Sequence, residues 1–420
     1  MIELKELRRE THAALCLACG KCSTMCPLSP SGWFSAARMV GIRDPQTEVG
    51  AAAYDGGPAR SLDACLTCGS CEVRCPEGVH FIDFVRGVRA LVPGAERRSC
   101  PHGEMLQSAA RVMAGPRAPR RDLAWLENGS EGDLEIAAEG EVALFVGCLP
   151  FYDILFARDL GLETVEIARA AIRLLNRVGI RPVVLSEERC CGHDLLWNGE
   201  REAFEALAGA NSAAFAARGV RHILTTCAEC CRTWRLDYPE AAADFQPKVQ
   251  HMSEFLAEKL AAGELVKRTG VAGTTTFQDP CRLGRHLGIV DAPRRVLESF
   301  GDETAGVRDG AVNRFVEMDK AGVDAQCCGT SGFIHCDANS KRLQSERLRN
   351  AAASGADTLV TACPKCLIHF RCAQNEDRLR QRAAPVIEVE DLTVLAAALL
   401  GQPESGVAQA VVTQPRGDAP

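Results

Sequence analysis

The chain has 420 residues, 46% of them hydrophobic and 25% charged, which is apolar material for two or three cores rather than one. A net charge of -7, from 55 acidic against 48 basic residues, is too mild and too mixed for a nucleic-acid surface or an acidic tail. The 22 cysteines are the anomaly: disulfides rarely persist in a reducing cytoplasm, so metal ligation is the expected use of so many thiols. MIELKELRRE at the start has no secretory h-region, and nowhere do eighteen apolar residues run together. We therefore expect a cytoplasmic protein that does not span a membrane and reaches one only through a partner.

The first eight cysteines form two runs. Cys16, Cys19, Cys22 and Cys26, followed by Pro27, keep the spacing C-x2-C-x2-C-x3-C-P, and Cys65, Cys68, Cys71 and Cys75, followed by Pro76, repeat it. With this spacing three thiolates wrap one four-iron cube while the fourth reaches the other cube. The expected sets are Cys16, Cys19, Cys22 with Cys75, and Cys65, Cys68, Cys71 with Cys26. Gly20 and Gly69 sit where the loop must pass close to sulfide and adopt unusual dihedrals. Zinc prefers two separated C-x2-C knuckles around one tetrahedral ion, which four thiols in eleven residues fit poorly. The insert at 27–64 contains SGWFSAARMVG, which reads as a helix, so residues 1–100 are expected to be a mostly helical domain holding two cubane clusters. Residues 101–138, with AGPRAPRRD and ENGSEGD, read as a linker whose arginines are solvated.

Beyond 138 the chain repeats itself. VALFVGC ends at Cys148, the adjacent pair Cys190 and Cys191 precedes Gly192, and HILTTCAEC brings Cys227 and Cys230. TTTFQDPC then ends at Cys281, QCCG brings Cys327 and Cys328, and TLVTACPKC brings Cys363 and Cys366. The offsets are 133 (148 to 281), 137 (190 to 327), 136 (227 to 363) and 136 (230 to 366), so the halves are duplicates. Four of these cysteines, Cys148, Cys227, Cys281 and Cys363, follow runs of strand length. ETVEIARAAIRLLNRVG, EREAFEALAGANSAAFAARG and SKRLQSERLRNAAASG have helical spacing and end in glycine. Alternating strands and helices predict parallel βαβ units, whose post-strand loops converge on one edge and bring distant sulfurs together. The overall class is α+β: a helical ferredoxin-type domain, then a duplicated α/β pair at 139–265 and 266–401, with a flexible tail at 402–420.

Five converging thiols exceed what a tetrahedral zinc or an ordinary cube requires. The pattern C…CCG…C-x-x-C, present twice with all ten cysteines, is the cysteine-rich CCG motif. Together with the two N-terminal runs, it makes the sequence resemble the D subunit of heterodisulfide reductase and its bacterial relatives over roughly residues 10 to 400. The resemblance implies that each motif holds a noncubane four-iron cluster on five cysteines: Cys148, Cys190, Cys191, Cys227 and Cys230 in the first, Cys281, Cys327, Cys328, Cys363 and Cys366 in the second. Relatives often read HDPCHLGR where this chain has QDPCRLGR, so Gln278 and Arg282 replace histidines, and Ser331 and Phe333 follow the second pair.

The implied function is an iron–sulfur subunit that passes electrons from two cubane to two noncubane clusters, which reduce a disulfide resembling the mixed disulfide CoM-S-S-CoB. The implied partners are a flavoprotein, such as a heterodisulfide reductase A-like subunit, or a membrane cytochrome b, with a disulfide or thiol substrate. The alternatives are a non-catalytic relay between a flavoprotein or dehydrogenase and a cytochrome b or low-potential reductase, and a zinc-organised scaffold. No G-x-G-x-x-G follows a strand and no Walker loop occurs, so neither flavin nor nucleotide is expected in this chain. His193 and His335 fall just after the adjacent pairs, where a substrate thiolate would need a proton; the plainer role for either is a loop histidine. Arg282 and Arg285 are placed to orient an anion or to face water, and Lys365 to tune a cluster or face solvent. Cys100, Cys231, Cys336 and Cys372 remain outside the motifs as spectator thiols, with Cys231 and Cys336 the nearest to ligand positions.

Overall fold

A computed structural model describes residues 3–31, 34–42, 62–91, 101–127, 134–268, 273–301, 313–329, 336–380 and 387–403. The N-terminal region is helical, as expected: short helices Leu4–Glu10, Lys21–Met25 and Ala36–Met39 flank the cysteine loops, and α1 (Phe81–Leu91) closes them off. Helix α1 buries Phe81, Phe84, Val85 and Val88 on one face. Its Arg89, fully buried, donates to the carbonyl oxygens of Leu62, Cys65 and Trp197. SGWFSAARMVG is helical only over Ala36–Met39. Ser35 is extended, with its hydroxyl 2.8 Å from that of Ser23, and Phe34 is buried edge-on against Phe81, so tertiary contacts stop the helix from starting earlier.

The segment read as a linker contains structure of its own. Helix α2 (Met105–Ala114) buries Ala110 and Met113 against Cys190, Leu195 and Leu207. Nor are all of its arginines solvated, because Arg121 is buried against Glu188.

The first repeat runs β1 (Val142–Phe145), α3 (Leu149–Leu160), α4 (Val165–Arg177), α5 (His193–Trp197), α6 (Arg201–Ala216), β2 (His222–Thr225), α7 (Ala228–Leu236), β3 (Lys248–His251) and α8 (Met252–Ala261). Its strands are parallel in the order β1-β2-β3, and Val183 adds a parallel bridge beside β1. The second repeat runs β4 (Gly273–Gln278), α9 (Cys281–Leu287), α10 (Asp291–Glu298), β5 (Asn313–Phe315), α11 (Ala338–Ala353), β6 (Thr358–Thr361), α12 (Pro364–Leu379), β7 (Glu388–Asp391) and α13 (Leu392–Leu399). Its parallel sheet has the order β5-β4-β6-β7. Strands β1, β2 and β6 are buried at every residue but the first, as sheets covered on both faces demand.

The three helices expected from periodicity are present as α4, α6 and α11, and Gly179, Gly219 and Gly355 just beyond them are left-handed. The repeats pack reciprocally. Helix α3 of the first lies on α12 of the second, while α9 of the second lies on α7 of the first; likewise α4 meets α13 and α8 meets α10. Matching elements thus trade places across one junction, and both sets of post-strand loops face it. Among the described residues, no helix is long and apolar enough to cross a membrane.

Candidate metal centres

The two N-terminal runs cross over. Cys16, Cys19, Cys22 and Cys75 line one cavity, and Cys26, Cys65, Cys68 and Cys71 line another. Each loop curls through a left-handed pair, Ala18 with Gly20 and Thr67 with Gly69, the glycines at φ 79° and 76°. That curl aims backbone N–H groups at sulfur: Ala18 N lies 3.4 Å from Cys16 Sγ and Thr67 N 3.3 Å from Cys65 Sγ. Four thiols with amide donors turned toward them form a donor set that fits a four-iron cluster. The first cavity lies at the surface, with Cys19 exposed, whereas Cys65 and Cys68 of the second are buried.

In the first repeat, Cys148, Cys190, Cys191, Cys227 and Cys230 line one cavity with Tyr152, His193, Asp194, Glu229 and Lys365. The adjacent pair points two ways: Cys190 Sγ is 3.5 Å from Cys148 Sγ, and Cys191 Sγ is 3.4 Å from Cys230 Sγ. Adjacent thiols thereby bridge sulfurs that lie 82 residues apart in the chain (148 to 230). Gly147 leaves the space this needs, since a Cβ there would stand 3.1 Å from Cys230 Sγ. The loop is braced by Glu188, which accepts from Val146 N (3.1 Å) and Gly147 N (2.7 Å) and pairs with Arg121 at 2.9 Å. Hydrogen bonds from Cys190 and Cys230 hold the Cys191 thiol down at about 6, while the shared bond with Cys190, and burial, push Cys148 up. Thiols that share protons so closely release them stepwise to a metal.

The second repeat gathers its five sulfurs likewise. Cys281 and Cys328 are the neighbours that most raise the Cys327 thiol, and Cys328 and Cys363 those that most raise Cys366. His369, one turn beyond Cys366, adds Nδ1 at 3.4 Å from Cys328 Sγ. Two links join this pocket to its neighbours. Cys227 of the first repeat is the neighbour that most lowers the Cys363 thiol, and Cys327 the one that most lowers Cys68 in the second N-terminal run. Neighbouring thiols thus influence one another from Cys68 through the second pocket into the first.

Charged side chains hold these junctions. Glu229 and Lys365 occupy matching positions in the two C-x-x-C turns, 136 residues apart, and pair with each other; Lys365 also pairs with Asp194. Burial works against the Lys365 ammonium, but the two carboxylates overcome it and hold its pKa well above the ordinary value. His193, Asp194 and Glu229 lie within 4.8 Å of one another, a trio whose centre the Lys365 ammonium fills. Burial lowers the His193 pKa; its Nδ1 is 2.9 Å from Asp194 Oδ1, and its Nε2 accepts from Arg282 Nε at 3.0 Å. Arg282 also donates to Thr67 Oγ1 (2.7 Å) and stacks 4.2 Å over Trp197, which Arg232 approaches at 4.8 Å and Arg86 at 5.3 Å.

The eighteen motif cysteines gather into four groups in space, two of four and two of five. His193 lines the first cavity with both ring nitrogens already engaged, while His335, Cys100, Ser331 and Phe333 lie outside the described residues. Lys365, Arg282 and Arg285 do not face water: each is drawn into a junction between regions. Cys231 is buried but does not line the cavity. Cys336 is exposed, and Cys372 accepts from Lys341 Nζ at 3.1 Å. Sequence reasoning missed Asp194, Glu229, Tyr152, Arg121 and Glu188. Only Glu229 carried a signal, the opposite charge at its matching position, Lys365.

Family models agree with this architecture. A 4Fe-4S dicluster domain matches residues 12–79, and a cysteine-rich domain matches twice, at 142–234 and 275–371. The chain belongs to the iron–sulfur proteins that join such a dicluster domain to two cysteine-rich domains, and it is similar to components of oxidoreductase complexes. Within that class its likeness is to the D subunits of heterodisulfide reductases. It is 32% identical over 286 residues to the D subunit of dihydromethanophenazine:CoB–CoM heterodisulfide reductase from Methanosarcina acetivorans, covering 66% of this chain and 63% of that relative. It is 27% identical over 398 residues to the B subunit of fumarate reductase (CoM/CoB) from Methanothermobacter marburgensis, covering 90% and 71%. It is 28% identical over 243 residues to EtfAB:quinone oxidoreductase of Syntrophomonas wolfei, covering 56% and 31%. The chain thus spans about three fifths of the length of the first of these relatives.

Proposed function

We propose that the chain is the iron–sulfur subunit of a heterodisulfide reductase-like complex, conducting electrons inward from its N-terminal region and delivering them to a disulfide at the first repeat. The observation that carries this reading is the adjacency of the thiol groups, with Cys327 the strongest influence on Cys68 and Cys227 the strongest on Cys363, and with Arg285 hydrogen-bonded to the carbonyls of Cys68 and Val323 across the first of these junctions. Cys16, Cys19, Cys22 and Cys75 would hold one cubane, and Cys26, Cys65, Cys68 and Cys71 the other. Cys281, Cys327, Cys328, Cys363 and Cys366, and likewise Cys148, Cys190, Cys191, Cys227 and Cys230, would each hold a noncubane four-iron cluster. Bound clusters supply one-electron transfer and, where an iron has an open position, a site for a substrate sulfur.

The protein's own residues divide the remaining work. The exposed loop around Cys19 offers the partner, a flavoprotein or a membrane cytochrome b, its closest approach. Arg89, Arg282 and Arg285 clamp the N-terminal loops onto both repeats, keeping successive sulfur sets within contact. Tyr152, Asp194, Glu229 and Lys365 wall the first cavity. His193 holds Asp194 through Nδ1 and takes the Arg282 donor on Nε2, so it orients the wall. Anaerobically isolated protein is expected to contain about 16 irons, four for each of four clusters. After reduction by a viologen it should be reoxidised by a thiol-derived disulfide. Fewer than ten irons would defeat the cluster assignment.

The second reading, a relay that passes electrons on without touching a disulfide, is favoured by the likeness to EtfAB:quinone oxidoreductase, whose name includes no disulfide. Full iron content with no reoxidation by any disulfide would select it.

A further inference from the structure

We propose that Arg285 sets the redox level at the junction between the second N-terminal cysteine run and the second repeat, by placing a guanidinium charge and a free N–H donor against the cluster that Cys26, Cys65, Cys68 and Cys71 would hold. The inference rests on the cluster assignment above and adds a role for a residue that is not itself a metal ligand.

Three observations converge on this residue. Its Nε donates to the carbonyl oxygen of Cys68 at 2.6 Å, and its Nη1 donates to the carbonyls of Val323 (3.2 Å) and Ala325, just ahead of Cys327. One side chain therefore grips both the loop of Cys68 and the loop that leads into Cys327. The remaining nitrogen, Nη2, is buried with no hydrogen-bond partner. A buried guanidinium N–H is costly to leave unpaired, and a cluster held by Cys68 and its partners would supply sulfur acceptors for it. Among the described residues no carboxylate forms an ion pair with Arg285, and the negative groups with the largest influence on it are the thiols Cys68, Cys281 and Cys327. Its charge is therefore left to act on the sulfur sites.

The duplication supplies an internal control. The position matching Arg285, 133 residues earlier, is Tyr152, and that matching Arg282 is Leu149. Both of these line the first cavity, which does not touch the N-terminal cysteines. At these two positions the cation appears only in the repeat that meets the N-terminal run.

A positive charge stabilises the reduced, more negative form of a cluster, so removing it makes reduction harder. The test is an anaerobic redox titration of the full, cluster-loaded chain, followed by electron paramagnetic resonance, with iron measured on each sample. In Arg285→Gln one four-iron signal is expected to lower its reduced-to-oxidised ratio at least tenfold at fixed poise, 59 mV for a one-electron couple, while iron content holds. Arg74→Gln removes the exposed ion pair between Arg74 and Asp324 (2.9 Å), which spans the same junction, and should leave every potential in place. Full iron with unchanged potentials in Arg285→Gln overturns the inference, as does an equal shift in Arg74→Gln. If Arg285→Gln loses iron, Arg285→Lys decides: the retained charge should keep the ratio within twofold, and a tenfold shift overturns the inference. Wild-type protein without four-iron signals would instead overturn the cluster assignment itself.

Discussion

The two repeats share a topology and a cysteine pattern, yet the same positions in them do different chemistry. After the first strand, the first repeat presents Leu149 and Tyr152 to its own cavity, whereas the second sends Arg282 and Arg285 into the N-terminal cysteine loops. In the C-x-x-C turn the first carries Glu229 and the second Lys365, and these two bind each other. After the last strand of each sheet, His251 caps α8 in the first repeat and Asp391 caps α13 in the second, each through a side-chain acceptor. Duplication supplied two matching sulfur pockets, and divergence at the flanking positions distinguished them: one adjoins the second N-terminal cysteine run and the other lies beyond it.

If that distinction is real, breaking each pocket in turn should have unequal consequences. Cys327→Ser is expected to lower iron by about a quarter, one of four clusters, and to slow viologen reduction of the first repeat's signal more than tenfold. Cys191→Ser should remove the same amount of iron and leave the second repeat reducible at its normal rate. Stopped-flow absorbance with iron analysis reads both, and equal slowing in the two variants would mean that electrons reach the repeats independently.

The ion pair between the matching turns should matter next. Lys365→Met leaves Asp194 and Glu229 buried without their cation, which is expected to destabilise the protein by about 3–5 kcal/mol in denaturant titration. Adding Glu229→Leu should restore at least half of that loss, because removing both partners leaves less charge uncompensated. A double variant no better than the single would show that the two turns are not coupled.

The caps differ in the sign of their pH dependence. Burial raises the Asp391 carboxyl to about 8, above its ordinary 3.8, so the folded protein holds that proton and the contribution fades as pH climbs from about 4 to 8. Burial lowers His251 to about 4 from 6.5, so its contribution is complete above 6.5 and fades as pH falls toward 4. Asp391→Asn keeps the capping oxygen and should flatten the alkaline limb, and His251→Asn should flatten the acid limb. Thermal melts from pH 5 to 8 would reveal identical slopes if the caps were equivalent.

Much of this was written in the chain itself. Cysteine spacing defined the two N-terminal runs, the offsets between matching cysteines revealed the duplication, and apolar periodicity placed α4, α6 and α11, because ligand geometry and helix period are local properties. Where a side chain's role depends on the element packed against it, the chain was silent. Periodicity overran the helix at 36–39, where Phe34 and Ser35 answer to distant partners, and composition hid α2 inside an apparent linker. Lys365, Arg282 and Arg285 looked equally suited to solvent until the reciprocal packing of α3 on α12 and α9 on α7 brought acids and cysteine loops up to them. Sequence alone determined which atoms can bind metal, since a thiol is a ligand wherever it stands. Only the tertiary structure decided which pockets adjoin and which charges lie between them, because burial and Coulomb interactions depend on distances that chain order does not encode.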